Sequence, residues 1–190
     1  MEPDRIVFTA AVAVLWAVLQ SAPCIAAETP APERLPPETA AYERADFKEA
    51  LRLAVPLAQG GDAQAEHTLG LMYASGQGVP EDFVQAARWY EKAADQGLEA
   101  SQNNLGTLYV DGKGVPQDYA KAAFWFRKAA DQGALQGLFN LGSLYESGHG
   151  VPQDYKQAAA LYRQVAESFF ADWSRHNSPH PDKDRSAGGD

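Results

Sequence analysis

The sequence predicts an all-α solenoid of helix-turn-helix repeats, and three observations support this prediction. The motif Leu-Gly-x-x-Tyr-x-x-Gly-x-Gly-Val-Pro-x-Asp begins at Leu69 and returns after 36 residues at Leu105 and again at Leu141. On both sides of each Gly-x-Gly, apolar residues follow helical spacing. Glycine and proline occur together between these segments, as expected of turns. A fixed period of this length is typical of arrays in which each unit buries its apolar face against its neighbours.

The first 27 residues are predicted to be a secretory signal peptide. An apolar run covers residues 6–19, and the small residues that follow end at Ala27 in an acceptable signal-peptidase site. Cleavage there removes Cys24, the only cysteine. The predicted location is therefore periplasmic or secreted. Acidic residues near the start leave the segment barely positive, so an alternative is a protein anchored in the membrane by an uncleaved N-terminus.

Composition divides the rest of the chain into three parts. Residues 28–39 hold four prolines among charged residues and are predicted to form an extended linker. Residues 40–176 are predicted to be the repeat domain, and the polar residues 177–190 a disordered tail. Within the domain we expect a half repeat at 40–61 and three repeats at 62–97, 98–133 and 134–169.

The half repeat is predicted to be a single helix that precedes the first full repeat. Asp46 and Phe47 stand 36 residues before Asp82 and Phe83, in the same register as the later repeats. Pro56 lies inside this helix. We expect it to bend the helix, because proline cannot donate the backbone hydrogen bond.

Each full repeat is predicted to contain two antiparallel helices joined by Gly-x-Gly-Val-Pro. The first helices are predicted over residues 63–75, 100–111 and 136–147. The second helix is predicted over residues 80–96, with its later equivalents beginning at Pro116 and Pro152. One glycine can take the left-handed conformation that ends a helix, and proline is tolerated in the first helical turn.

The predicted core is a stripe of aromatic residues, alanines and glycines. The pattern Ala-Ala-x-Trp-Tyr/Phe-x-x-Ala-Ala begins at Ala86 and again at Ala122, so large and small side chains alternate at helical spacing. Gly70, Gly106 and Gly142 lie inside the first helices, where glycine costs about 1 kcal/mol relative to alanine. We expect close contact with the alanine face of the partner helix to offset this cost.

The repeat pattern decays at its C-terminal end. Leu161 replaces the tryptophan of the earlier second helices, and an atypical terminal repeat is expected because it lacks a neighbour on one side. Phe169, Phe170 and Trp173 follow the last repeat. We expect them to fold back as a cap, and the alternative is that they contact a partner.

The sequence lacks the usual catalytic signatures. It contains no Ser-x-x-Lys, Gly-x-Ser-x-Gly, His-Glu-x-x-His or Gly-x-x-x-x-Gly-Lys. Glu81 and Asp82 are adjacent carboxylates, but the dipole of a helix N-terminus already favours negative charge there. His176 and His180 have a spacing seen in metal sites without a second pair of ligands. We predict that the protein is not an enzyme and has no catalytic residue, metal site or cofactor.

The charge of the chain excludes one class of partner. The formal net charge is −9 at pH 7, whereas nucleic-acid binding depends on clustered Lys and Arg. We therefore predict no nucleic-acid binding. Neutral or basic protein partners are favoured instead.

At these residues the sequence resembles the Sel1-like repeat family, which is related to tetratricopeptide repeats. The pattern Ala-x-x-x-Leu-Gly-x-x-Tyr-x-x-Gly-x-Gly-Val-x-x-Asp-x-x-x-Ala-x-x-Trp-Tyr/Phe-x-x-Ala-Ala-x-x-Gly is met almost in full by the first two repeats and less well by the third. The resemblance covers residues 46–166. It implies a right-handed α-solenoid of helix-turn-helix Sel1-like repeats, three of them after the half repeat.

The resemblance also implies function. Members of this family are adaptors and scaffolds, including secreted or periplasmic regulators and envelope proteins. We therefore expect an exported protein-protein interaction module, an adaptor, scaffold or regulator of an envelope process, that binds a protein or peptide segment in its concave groove. No membrane span is expected after signal cleavage, and the oligomeric state stays open. The alternative is a cell-wall or β-lactam-directed enzyme-like binder, as reported for a cysteine-rich branch whose paired cysteines this sequence lacks.

The related tetratricopeptide fold implies which residues line the groove, because the first helix of each pair faces it. Asn104 and Asn140 occupy equivalent places and suit an extended peptide, since an amide can bond both N–H and C=O; alternatively they bond the backbone of the neighbouring helix. Phe139 is expected to anchor a partner side chain, or to be partly buried against the preceding repeat. The predicted partner-binding residues are His67, Leu71, Asn103, Asn104, Thr107, Phe139, Asn140, Ser143 and Glu146.

Overall fold

A computed structural model describes residues 35–177, and within this range the chain forms eight helices and no strand. The helices are α1 Pro37–Glu43, α2 Phe47–Gln59, α3 Ala63–Ser75, α4 Phe83–Asp95, α5 Glu99–Asp111, α6 Tyr119–Asp131, α7 Leu135–Ser147 and α8 Tyr155–Asn177. Each helix packs against the next along the chain. This arrangement confirms the predicted all-α solenoid. The predicted signal peptide, most of the predicted linker and nearly all of the predicted tail lie outside the described residues.

An aspartate caps the start of each second helix and of the helix of the half repeat. The Asp82 carboxylate accepts hydrogen bonds from the backbone N–H groups of Val84 at 2.9 Å and Gln85 at 3.0 Å. The equivalent residues Asp46, Asp118 and Asp154 cap α2, α6 and α8. The helix therefore begins after Asp82, and the prediction that it begins at Pro80 is wrong. Asp82 satisfies N–H groups that have no partner within the helix, and this sets its first turn.

The turn between the two helices of a repeat uses both of its glycines. Gly112 ends α5 in the left-handed conformation, with φ of +67°. Gly114 has φ of +70°, and a Cβ there would collide with the backbone of Phe83 in the preceding repeat. The backbone N–H of Asp118 donates to the carbonyl of Tyr109 at 2.9 Å. The turn thus reverses the chain and also sets the approach of one repeat to the previous one.

The glycines inside the first helices face aromatic rings, and this corrects the prediction that they face alanines. A Cβ on Gly70 would lie 2.5 Å from ring atoms of Tyr90, and one on Gly106 would lie 2.6 Å from ring atoms of Phe126. The third glycine meets the ring of Tyr162 in the same way. The unfavourable helix propensity of glycine is offset because a large ring is buried directly over the backbone.

The core consists of two clusters of buried residues that follow one another along the chain. The larger buried cluster joins α4 to α7 and contains Tyr90, Leu105, Leu108, Tyr109, Trp125, Phe126, Leu141 and Leu144 together with alanines. The smaller cluster joins α1, α2 and α3 around Ala41, Ala54, Leu69 and Met72. The predicted stripe of aromatic and small residues is therefore the core. Candidate functional residues are those of the first helices that lie outside it.

Both ends of the described range differ from the prediction. Helix α1 begins at Pro37, upstream of the expected domain start at residue 40, and it packs on α2 and α3 through the fully buried Ala41. Helix α8 continues to Asn177 instead of folding back. Phe169 stands where Gly133 ends α6 with φ of +84°, a conformation that phenylalanine disfavours, so the last helix does not stop there.

The expected aromatic cap is therefore not formed. Phe169, Phe170 and Trp173 are 48%, 67% and 58% exposed. Among the helices of the described range, none has the length and hydropathy that crossing a membrane requires.

Candidate functional site

All nine predicted partner-binding residues lie on α3, α5 and α7, the first helices of the three repeats. Their spacing places them on the same side of each helix. We call the surface that they form together with Glu99 and Gln136 the first-helix face. An open cleft of about 240 Å³ lies in this face, and its lining residues are His67, Glu99, Ala100, Asn103, Asn104, Ala134 and Gln136.

His67 lies at the edge of this cleft and is held from both sides. Its Nδ1 is 2.7 Å from the hydroxyl oxygen of the fully buried Ser101, and its ring is tilted against Tyr90 with the centroids 5.6 Å apart. The side chain is only 8% exposed. Burial lowers the pKa of His67 to about 4, against the smaller opposing effect of the Glu99 charge. The ring is therefore neutral at pH 7.

The position of the proton on His67 follows from the partners of Ser101. Among the described residues, the Ser101 hydroxyl has no hydrogen-bond acceptor other than Nδ1 of His67. We therefore assign the hydroxyl as donor to Nδ1, which leaves the proton of the neutral ring on Nε2. No hydrogen bond within the described part of the chain occupies Nε2, and Nε2 is not one of the enclosed unpartnered atoms there, so it is open to the cleft. The cleft thus has an N–H donor held in place by two neighbouring side chains.

The amides of the first-helix face are oriented by neighbouring side chains. The Asn140 amide nitrogen donates to the amide oxygen of Asn103 at 2.8 Å, which links α7 to α5. Asn104 interacts with the hydroxyl of Tyr90. The exposed Thr107 donates to the carbonyl oxygen of Asn103 at 3.1 Å. Asn140 therefore bonds a side chain of the neighbouring first helix, and not its backbone as in the alternative expectation. Asn103 and Asn140 each keep a second polar atom for another partner.

The third repeat is more occupied by internal contacts than the second. Phe139 is half-buried, with its ring centroid 5.4 Å from that of Tyr162 on α8. The Tyr162 hydroxyl donates to the Glu146 carboxylate at 2.9 Å, and burial raises the pKa of Tyr162. Ser143 is exposed. Leu71, at the other end of the face, is half-buried and packs against the core.

Sequence reasoning missed Glu99 and Ser101. Ser101 occupies the register position of Ala65 and Gly137, where a small residue packs against the preceding second helix. Ser101 is the residue with a hydroxyl in this series, and His67 lies two residues after Ala65, the equivalent of Ser101 in the preceding repeat. This combination is the signal that could have identified the pair. Glu99 could have been recognised as the charged residue that opens α5 beside the predicted asparagines.

The described residues contain a second cleft but no metal centre. A cleft of about 220 Å³ lies between α6, α7 and α8, where Arg127 donates to the Tyr145 hydroxyl at 2.7 Å. Within residues 35–177, no three His, Cys, Asp or Glu side chains come together in a way that could hold a metal ion. His180, half of the histidine pair considered above, lies outside the described range.

Comparisons with known proteins agree with this architecture. The family model described as Sel1 repeat matches residues 63–98, 99–133 and 135–168. A protective antigen present in uropathogenic Escherichia coli strains, described as displaying an SLR fold, is 37% identical with a TM-score of 0.65, and the match covers 72% of this chain and 32% of that one. A Sel1 repeat protein from Oxalobacter formigenes is 32% identical with a TM-score of 0.65, covering 68% of this chain and 54% of that one.

A more distant structure shows the fold alone. The cysteine rich protein B of Helicobacter pylori is 24% identical with a TM-score of 0.51, over 64% of this chain and 87% of that one. No curated protein sequence gives a significant match. The chain spans only about a third of the length of the E. coli protein and about half of that of the O. formigenes protein.

Proposed function

The chain belongs to the Sel1 repeat family, and from this premise we propose that it is an exported interaction module that binds a segment of a partner protein on the first-helix face. Sel1 repeats are generally protein-protein interaction modules. The proposal assigns the protein an adaptor, scaffold or regulatory role in an envelope process. The proposal includes no reaction catalysed by the protein.

The cleft of the first-helix face is the observation that carries this proposal. Polar groups from three successive first helices converge on it: His67 from α3, Asn103 and Asn104 from α5, and Gln136 from α7. An extended peptide presents an N–H and a C=O at each residue, and amide side chains can bond both. A segment that crosses three repeats therefore finds donors and acceptors along its length.

Two observations support the exported location. The sequence predicts a signal peptide over residues 1–27. The similar E. coli protein is described as a protective antigen, and an antigen that protects must be reached by the immune system.

Photo-crosslinking in the native cell tests the binding face. We would place p-benzoylphenylalanine at the exposed Gln136, and as a control at the exposed Arg88 on α4. Gln136 is a better position than Phe139, which is half-buried against Tyr162. We expect a partner to be captured from Gln136 and not from Arg88. Capture should be lost when Thr107→Trp fills the exposed part of the face, and equal capture from both positions would refute the proposal.

The mature N-terminus tests export separately. We expect mass spectrometry of the protein from the periplasm or medium to show a chain that begins at Glu28. The variant Ala27→Arg removes the small residue before the cleavage site and should keep the leader attached. An uncleaved wild-type chain in the membrane fraction would support the anchored alternative instead.

A further inference from the structure

Charge is divided between the two kinds of helix. The first helices carry acidic residues and neither Lys nor Arg. Apart from Lys113 in the turn after α5, the basic residues of the repeats lie on the second helices: Arg88, Lys92, Lys121, Arg127, Lys128, Lys156 and Arg163. Two of these lysines are held over aromatic rings of their own helices, with Lys92 4.0 Å from the Trp89 ring centroid and Lys128 4.8 Å from that of Trp125. The first-helix face is therefore acidic although the second helices are rich in bases.

Only one acidic side chain of the first helices is available at the cleft. The other three already have partners, which are Gln96 for Glu66, Lys113 for Asp111 and Tyr162 for Glu146. Glu99 is exposed in the first turn of α5, lines the cleft, and forms no ion pair with any residue of the described range. A cation that entered the cleft would meet this carboxylate.

The N–H donor of His67 is an independent indication of a ligand in the same cleft. The side chain is more than nine-tenths buried and its Nδ1 is held by Ser101. No hydrogen bond within the described residues occupies Nε2, and Nε2 is not among their enclosed unpartnered atoms, so this nitrogen is open to the cleft. An N–H donor held in this way at the edge of a cleft can donate to an acceptor that enters the cleft. A main-chain carbonyl of a bound peptide is such an acceptor, and the oriented amides of Asn103 and Asn104 line the same cleft.

We propose that the cleft binds an extended peptide segment bearing Lys or Arg, with a main-chain carbonyl accepting from Nε2 of His67 and the cationic side chain paired with Glu99. This inference rests on the proposed function, because it names the partner chemistry of the same face. An acidic segment is disfavoured, since its carboxylates would meet only like charge along the first helices. Apart from Lys113, which is paired with Asp111, the bases of the repeats that could pair with such a segment lie on the second helices.

A random peptide library tests the inference directly. Dodecapeptides displayed on phage are selected on the purified protein, and the recovered sequences are synthesised with a fluorescent label. Affinities are then measured by anisotropy for the wild type, for Glu99→Gln and for Glu91→Gln. The last variant is the matched control, because it removes the same charge from an exposed position on α4.

We expect the selected peptides to be enriched in Lys and Arg. Their affinity should fall about five- to tenfold in Glu99→Gln, as for loss of a partly exposed charged hydrogen bond, and should not change in Glu91→Gln. Raising the salt concentration should weaken binding to the wild type more than to Glu99→Gln. His67→Phe keeps an aromatic ring and removes the donor, so it should also weaken binding; its melting temperature shows whether the fold is retained.

The outcomes separate this inference from the proposed function. Selected peptides without a basic bias, insensitive to Glu99→Gln but blocked by Thr107→Trp, would overturn the inference and leave the first-helix face as the binding site. Peptides insensitive to both substitutions would overturn both proposals. Recovery of no binding peptide would also count against both.

Discussion

Gly106 sets the distance between α5 and α6. A Cβ at this position would lie 2.6 Å from ring atoms of Phe126, well inside van der Waals contact. We expect Gly106→Ala to lower the free energy of unfolding by about 1–3 kcal/mol, the usual range for an overpacked core. Alanine is the better helix former by about 1 kcal/mol. The measured loss of stability is therefore the free-energy cost of the clash minus this gain in helix propensity. Urea unfolding followed by circular dichroism measures it.

Two variants show whether the clash is the cause. Thr107→Ala changes the exposed neighbour on the same helix and should leave stability nearly unchanged. Combining Gly106→Ala with Phe126→Leu should cost less than the two single losses added together, because the smaller side chain leaves room for the methyl group. Unchanged stability of Gly106→Ala would show that the ring can move aside at no cost.

His67 predicts a pH dependence of stability. Its pKa is about 4 in the folded protein because of burial, against 6.5 for the unperturbed group. Between these values the unfolded chain binds more protons, so stability is full above pH 6.5 and is lost as the pH falls towards 4. The loss attributable to this one group approaches about 3 kcal/mol at the acid end.

The measurement compares the wild type with His67→Asn by urea unfolding at pH 7 and about pH 4.5. The wild type should lose more stability than the variant over this interval. The comparison needs the variant because burial raises the pKa of Glu66, and a raised carboxyl pKa acts in the opposite direction. Parallel pH profiles for the two proteins would contradict the assigned burial of the His67 ring.

The residues of the first-helix face illustrate how far the sequence alone reaches. Register predicted that His67 and Asn103 occupy equivalent places on successive first helices. It did not predict that His67 bonds Ser101 while Asn103 bonds Asn140, because such pairings depend on how adjacent repeats are offset. Glu99 was missed because it lies in the first turn of a helix. The helix dipole favours a carboxylate there, so its presence does not by itself indicate a binding residue.

At the scale of the helix, the start of α6 depends on Asp118. Its carboxylate accepts hydrogen bonds from the backbone N–H groups of Ala120 and Lys121, both at 3.0 Å. We expect Asp118→Ala to destabilise the protein by about 1 kcal/mol, and Asp118→Asn by less, since asparagine also caps well. Thermal unfolding of the purified variants measures the difference.

Asp131 at the other end of α6 supplies the control. It is exposed and lies in the last turn, where negative charge is unfavourable to the helix dipole. Asp131→Ala should therefore leave the melting temperature unchanged or slightly higher. If both substitutions lowered it equally, the loss would reflect the removed side chain in general and not capping.

Helix boundaries were predictable where a local signal ends or starts the helix. The predicted bounds of α3 agree with the structure, because Asp62 caps its start and Gly76 ends it in the left-handed conformation. The start of α4 was misplaced because proline and aspartate are both good start signals, and the aspartate side-chain bonds decide between them. Helix α1 was missed because its stability comes from packing on α2 and α3, which a short proline-containing segment does not reveal.

For the whole molecule, packing that is limited to neighbours implies stability that varies along the chain. The larger buried cluster joins α4 to α7. At the N-terminal side, α1 is a single short helix. At the C-terminal side, α8 beyond Val165 has no later repeat against it within the described residues, and its aromatic side chains are largely exposed. We expect hydrogen-exchange protection to be highest in α4 to α6 and lowest in α1 and in α8 beyond Val165.

A substitution near one end should then act mainly at that end. Leu141 on α7 is 4% exposed, and Leu141→Ala should cost about 2–5 kcal/mol through the cavity it leaves. We expect exchange in α7 and α8 to accelerate far more than exchange in α3. Met72→Ala, a fully buried position on α3, should give the reverse gradient. Packing that is limited to neighbouring repeats requires the two gradients to differ. If either variant accelerated exchange equally in all helices, the repeats would unfold as one cooperative unit, and stability would not vary along this solenoid.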